Sequence, residues 1–196
     1  MCKSSYYIKS IFISHRTDEY GGSDENRARF VIEIIKKIRE RIGNEYIILL
    51  KINSEDDDPN GITPEGFITA CKLAEQAGVD MIEVTGMKWK KNRENKLVYF
   101  ETGKLLADIL KVPVVVTGGI KNLNVANDAL NNSNIQYIGI CTALLSEPDI
   151  LTKWKNCEDK KLQCVSCMNC YKIEHTVEIE CIINKRKKKK NLKKNN

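Results

Sequence analysis

The chain has 196 residues, enough for one domain with a real core, and its 42% hydrophobic content is ordinary for a soluble protein. No apolar run reaches membrane-spanning length and no credible signal peptide opens the chain, so a cytoplasmic protein with no membrane partner is expected. The net charge of +6 misleads: residues 185–196 (KRKKKKNLKKNN) hold eight Lys or Arg and no acid, which leaves the body at −2. Such a run reads as a self-repelling, disordered tail, and the aromatic and Arg interleaving that base contacts need is missing, which argues against nucleic acid.

The first residues include an amphipathic YYIKSIFI run. Residues 16–30 (RTDEYGGSDENRARF) read as an irregular loop turning into a helix. Gly21 and Gly22 supply a tight turn, Ser23 or Asp24 caps, and Asp24 and Glu25 suit the positive end of the helix dipole. The helix carries Phe30, Val31, Ile34, Ile35 and Ile38 inward and Lys36, Lys37, Arg39 and Glu40 on its wet face. Residues 46–52 (YIILLKI) read as a buried strand, followed by a polar loop. A helix starting at Pro64 runs to about residue 77 and stops at Gly78. Further strands are expected at 81–85, 112–117 and 136–141, with helices at 102–110 and 124–130 between them. Four βα-like units with continuous apolar strands predict a parallel sheet covered by helices. On pattern alone a small doubly wound domain is also allowed.

Four of the eight cysteines cluster late, as Cys164, Cys167, Cys170 and Cys181. In a cytosolic protein, C-x2-C-x2-C-x10-C points to one site for a [4Fe–4S] cluster or a Zn²⁺ rather than to disulfides. His175 is an alternative ligand, more readily a loop residue. Cys71 and Cys157 have no such neighbours and are expected to be inert.

Residues 16–30 resemble a signature of the Old Yellow Enzyme family, the FMN-dependent NAD(P)H:flavin oxidoreductases. There the stretch lies near the middle of a (β/α)8 barrel, a fold that takes about 250 residues. Only fifteen residues precede it here. The resemblance therefore implies an α/β fold that is a partial (β/α)8 TIM barrel, approximately strands 5–8 with their helices, over residues 1–155. A Cys-rich cluster-binding segment would follow over 156–184 and the basic tail over 185–196. Residues 6–13 would leave strand four.

The same resemblance assigns roles. Lys51 would stand beside the flavin pyrimidine, where a cation stabilises negative charge on the reduced ring. Gly118 and Gly119 match the FMN-phosphate loop. In IGICTALLSEPDIL, Cys141 takes a small-residue position. Thr142 stands where the family has its phosphate-binding Arg, without that residue's charge and fork. Tyr7 falls on the proton-donor Tyr, and Cys2 and Ser5 fall where a His and a His or Asn bind the substrate. The cysteine spacing resembles the cluster segment of the branch with trimethylamine dehydrogenase and 2,4-dienoyl-CoA reductase, where the cluster passes electrons to the flavin. The implied reaction is hydride transfer from NAD(P)H to FMN and on to a small-molecule acceptor such as an activated alkene. The competing expectations are an inactive truncated remnant, a half-barrel that needs another chain to supply the N-terminal half, and a metal-binding domain whose basic tail contacts nucleic acid.

Overall fold

The computed structural model describes residues 16–55, 61–86, 97–156, 162–167, 169–171 and 180–192. Its elements run α1 (Asp24–Ile42), β1 (Leu49–Asn53), α2 (Pro64–Gln76), β2 (Met81–Thr85), α3 (Phe100–Ile109), β3 (Val114–Thr117), α4 (Leu123–Asn131), β4 (Tyr137–Gly139), α5 (Thr142–Ser146) and α6 (Ile150–Lys155). A 3-10 turn (Asn169–Tyr171) and α7 (Ile182–Leu192) follow. Among the described residues, no helix is long and apolar enough to cross a membrane.

The helix starts follow from capping chemistry. The Ser23 hydroxyl accepts from the N–H of Asn26 (3.3 Å) and the Thr63 hydroxyl from that of Gly66 (3.0 Å), with Pro64 opening α2. The four strands pair in parallel in the order β1-β2-β3-β4, with Leu49 opposite Met81, Ile82 opposite Val114 and Val115 opposite Tyr137. A doubly wound sheet reverses its order at a switch point. This one follows the chain without reversal, which makes it the expected arc of a (β/α)8 barrel.

The strands are shorter than their apolar runs. Tyr46 and Ile47 stay outside β1, because the N–H of Asp80 already bonds the carbonyl of Ile48 and the chain before Asp80 is the turn that ends α2. Val112 and Pro113 precede β3, and β4 stops at Gly139, where β3 also ends.

The sheet has one covered face. Leu50, Ile52, Ile82, Val84, Val114 and Val116 are buried in one core with Val31, Ile35, Phe67, Ala70, Ala74 and Leu106 from the helices. On the other face Leu49, Lys51 and Tyr137 are exposed, with Val115 buried between Glu83 and Tyr137. β1 therefore alternates exposed and buried residues, where a fully buried strand is expected from its composition. The second face belongs to the barrel lumen, which four strands leave open.

Helix α1 departs in the same sense. Ala28, Val31 and Ile35 are buried, whereas Phe30, Ile34 and Ile38 are exposed. Arg39, expected on the wet face, is instead 15% exposed in its side chain. Its guanidinium donates to the carbonyls of Gly43 (2.7 Å), Tyr46 (3.0 Å) and Gly78 (3.0 Å) and pairs with Asp80. Asp80 also accepts from the N–H of Ile48 (2.7 Å). That backbone bond, with the Arg39 guanidinium next, holds the Asp80 carboxyl below the usual carboxylate range. One residue thus ties the end of α1, the end of α2 and the entries to β1 and β2.

The basic tail corrects an expectation as well. Residues 185–192 are helical rather than disordered. Lys and Arg are good helix formers, and the first turn is held down: the Asn184 amide donates to the carbonyl of Ser146 (2.8 Å). Lys188 pairs with Glu180 (2.6 Å) and Lys187 with Gln163.

Arg39→Ala is expected to lower the unfolding free energy at neutral pH by about 2 kcal/mol, since three backbone carbonyls lose a charged donor. The part that runs through Asp80 has a depressed folded pKa, so it is present above about pH 4 and lost as pH falls through the folded value. Urea unfolding of both proteins between pH 7 and pH 3 should show the gap between them narrowing at the acid end.

Candidate functional site

The loop before α1 is built by its own polar residues. Asp18 pairs with Arg16 and accepts from the N–H of Tyr20 (3.2 Å), and the N–H of Gly21 bonds the carbonyl of Asp18 (3.0 Å). From α1, Asn26 donates to the carbonyl of Gly21 (3.1 Å), Arg27 to that of Gly22 (3.3 Å) and Arg29 to that of Glu19 (2.7 Å). Tyr20 donates to Glu33 (3.1 Å). The residues after the glycines are the clamps that hold the preceding loop on the helix.

Because all four strands are parallel, their C-terminal ends share one rim. Lys51 lies on the open face of β1, about half exposed, and pairs with Glu83, its register partner on β2. Glu83 also accepts from the Thr117 hydroxyl of β3 (2.7 Å), so one carboxylate bridges three strands. Thr117 in turn packs over Gly139 of β4: a Cβ on Gly139 would stand 2.0 Å from the Thr117 hydroxyl oxygen. Glu83 and Thr117 escape a reading by motif. Their signal is the two-residue period, which puts them on the same face as Lys51.

Gly118 and Gly119 turn the chain off β3 at φ 117° and 90°, conformations that glycine adopts without strain. The N–H of Val98 donates to the carbonyl of Gly118 (3.2 Å). At the next strand end Cys141 is exposed and Thr142 half-buried, at the start of α5. Lys51, Gly118, Gly119, Cys141 and Thr142 thus occupy strands or strand ends of one sheet. Tyr7, Cys157 and His175 lie outside the described residues.

Cys164, Cys167, Cys170 and Cys181 line a single cavity, walled by Leu145, Val165, Ile182 and Ile183 and shared with Thr142. Ser166, at φ 52°, bends the backbone tightly between the first two cysteines. Burial pushes the Cys170 thiol up, and the neighbouring Cys164, Cys167 and Cys181 add to the shift. Among the described residues no group of three or more His, Cys, Asp or Glu is already drawn into a ligating cage. The thiols surround a common space rather than close on it.

Both ends of this segment are fastened to the end of α5. Glu147, 5% exposed, accepts from the N–H of Gln163 (2.6 Å) beside Cys164 and from Lys153 (3.4 Å), while the carbonyl of Ser146 takes Asn184. Glu147 stands in the acidic-Pro-Asp stretch, where only its fit to a pattern is visible in the sequence. Cys71 lies on the buried face of α2, and burial pushes its thiol far up, which disfavours the thiolate.

A family model described as the NADH:flavin oxidoreductase / NADH oxidase family matches residues 7–160. The chain is 27% identical to a cinnamate reductase of Clostridium sporogenes, over 88% of this chain and 30% of that protein. It is 28% identical to a bilirubin reductase of Mediterraneibacter gnavus, over 89% of this chain and 30% of that protein. Its fold matches a 2-naphthoyl-CoA reductase solved with 2-naphthoyl-CoA, with a TM-score of 0.71 and 25% identity, over 82% of this chain and 26% of the other. The old yellow enzyme homologue of Zymomonas mobilis matches with a TM-score of 0.63 and 18% identity, over 81% of this chain and 45% of the other. The chain thus spans about 30% of the length of these two curated relatives.

The contact between Thr117 and Gly139 makes a direct test of the rim. Gly139→Ala is expected to destabilise the fold by about 1–3 kcal/mol through overpacking. The same substitution in a Thr117→Ala background should cost about 1 kcal/mol less, read as a coupling in a double-mutant unfolding cycle.

Proposed function

The chain belongs to the NADH:flavin oxidoreductase / NADH oxidase family, that of the Old Yellow Enzymes, and on that premise we propose that it is the C-terminal half of an FMN-dependent NAD(P)H oxidoreductase barrel of the ene-reductase kind. The observation that carries this reading is the shared rim: the candidate flavin residues sit on the strands and strand ends of one parallel sheet, and the four-cysteine cavity adjoins them through Thr142. FMN bound there supplies hydride chemistry, from NAD(P)H to a small-molecule acceptor such as an activated alkene.

In this reading Lys51 offers its ammonium to the flavin pyrimidine side, with Glu83 fixing where that ammonium points. Gly118 and Gly119 fit a phosphate cradle, because their positive φ values let backbone N–H groups approach an anion closely. Cys141 leaves room at the next strand end, and Thr142 donates one neutral hydrogen bond where a charged fork would serve better. Tyr7 supplies the proton to the acceptor. In this reading the N-terminal half of such a barrel would hold much of the flavin ring. The reaction belongs to the cytoplasm, where thiols stay reduced.

The cysteine cavity fits a [4Fe–4S] cluster by its donor set and its apolar wall. Four thiols from a short segment supply the ligands, and Leu145, Val165, Ile182 and Ile183 give the cavity an apolar wall. Zn²⁺ is the alternative occupant, since four thiolates also satisfy a tetrahedral structural site.

Two outcomes are expected. The chain purified alone should be colourless or hold FMN weakly, because a missing charge-assisted phosphate contact costs about 1.5–3 kcal/mol. Thr142→Arg should tighten FMN by about tenfold or more, measured by quenching of FMN fluorescence. A flavin band that survives gel filtration of the unaltered chain at stoichiometric level contradicts this. For the cysteines, anaerobic reconstitution followed by iron, sulfide and zinc analysis should load the unaltered chain and fail to load Cys167→Ser to the same level. No metal in the former, or equal metal in both, rules out the four-cysteine site.

A further inference from the structure

We propose that Glu147 is the positioning residue of the four-cysteine site. Its carboxylate holds the main chain beside Cys164, while the carbonyl of its neighbour Ser146 holds the helix that follows Cys181, so the two outer thiols are preset on one cavity. This role rests on the four-cysteine reading above and adds to it a residue from outside the cysteine segment.

A carboxylate is unfavourably placed here. Glu147 is buried, and it directly follows the C-terminal end of α5, where the helix dipole favours cations. Both costs call for partners, and the partners are unequal. The N–H of Gln163 donates to Oε1 at 2.6 Å, a short, charge-assisted bond. The Lys153 ammonium stands 3.4 Å from Oε2 and lies closer to Asp149, at 3.0 Å. The carboxylate is therefore committed to the backbone of residue 163, one position before the first cysteine.

The other end of the segment is held from the adjacent residue. The Ser146 carbonyl accepts from the Asn184 amide (2.8 Å), three positions after Cys181. Lys187, about one turn further along α7, donates to the Gln163 side chain. Ser146, Glu147, Gln163, Lys187 and Asn184 thus form a closed circuit of contacts, entered by the chain just before Cys164 and just after Cys181. The same short helix also lines the cavity, through Thr142 and Leu145. Cys167 and Cys170 lie between the two anchored ends, where their spacing from Cys164 is local. Groups that orient a metal's ligands are worth about tenfold to a hundredfold in metal affinity when they are removed.

The test uses the full chain, reduced and anaerobic, with Co²⁺ as the probe and Zn²⁺ as its competitor. The unaltered chain should give a thiolate-to-Co²⁺ charge-transfer band that equimolar Zn²⁺ abolishes. Glu147→Ala should weaken Co²⁺ binding by about tenfold to a hundredfold and alter the band per bound ion. Glu147→Gln keeps an oxygen that accepts from the N–H of Gln163, and it should stay within about fivefold of the unaltered chain. Asn184→Ala removes the other anchor and should weaken binding by about tenfold. A residue that only stabilised the fold would lower the melting temperature and leave affinity and band unchanged. Glu147→Ala binding as tightly as the unaltered chain, with the same band, overturns the proposal and leaves the cysteine site standing. So does Glu147→Gln binding as weakly as Glu147→Ala, which would give the role to the charge rather than to the bond with Gln163. If Glu147→Ala does not fold, the other two variants decide, and Asn184→Ala binding as tightly as the unaltered chain overturns the proposal. Absence of any thiolate band in the unaltered chain removes the proposal together with the four-cysteine reading.

Discussion

Parallel pairing in chain order is the constraint on which everything else here depends. A parallel neighbour cannot be reached by a tight turn; the chain must cross back over the sheet, and it does so with a helix each time. That crossover buries one face of the sheet and returns every strand in the same direction. Two results follow from it: a single rim where strand ends meet, and a second face with no helix of its own. The alternation of exposed and buried residues along β1 and the open position of Lys51 both arise from that second face.

Two polar anchors hold the ends of this arrangement. At the entry, Arg39 gathers three backbone carbonyls and Asp80, so the end of α1 cannot drift from the turn before β2. At the exit, Glu147 and Ser146 fasten the cysteine segment at Gln163 and Asn184. Both anchors pair a side chain with backbone groups at the ends of elements, where the ladders of helix and sheet have stopped. The rim itself is joined by Glu83, the only member of its bridge that touches both of the others.

The periodic elements were legible in the sequence because their signals are local. The Ser23 and Thr63 caps, Pro64 and the apolar runs placed the helices and strands to within a few residues. What the sequence hid depends on pairs distant along the chain. Tyr46 and Ile47 look like strand and are not, because no strand residue stands opposite them. Arg39 looks like a wet-face residue, but its partners are Gly78 and Asp80, thirty-nine and forty-one positions away. Residues 185–192 look disordered by composition, yet they continue a helix whose first turn Asn184 ties to Ser146. The cysteine spacing was legible as a cluster, whereas the closeness of Thr142 to it needed the end of β4 in place.

An open arc also sets how the fold comes apart. In a closed barrel every βα unit has two neighbours; in an arc the end units have one each. Cooperativity then weakens toward the ends, as in a short linear array of repeats. Among the described residues β4 is the shortest strand, with three residues against five in β1 and β2. Its amide protons are therefore expected to be the first among the described strands to exchange with solvent, by fraying rather than by global unfolding. The unit that frays is the one that leads into Cys141, Thr142 and the cysteine cavity, so the chemistry proposed for this protein is hung on the least persistent part of its sheet.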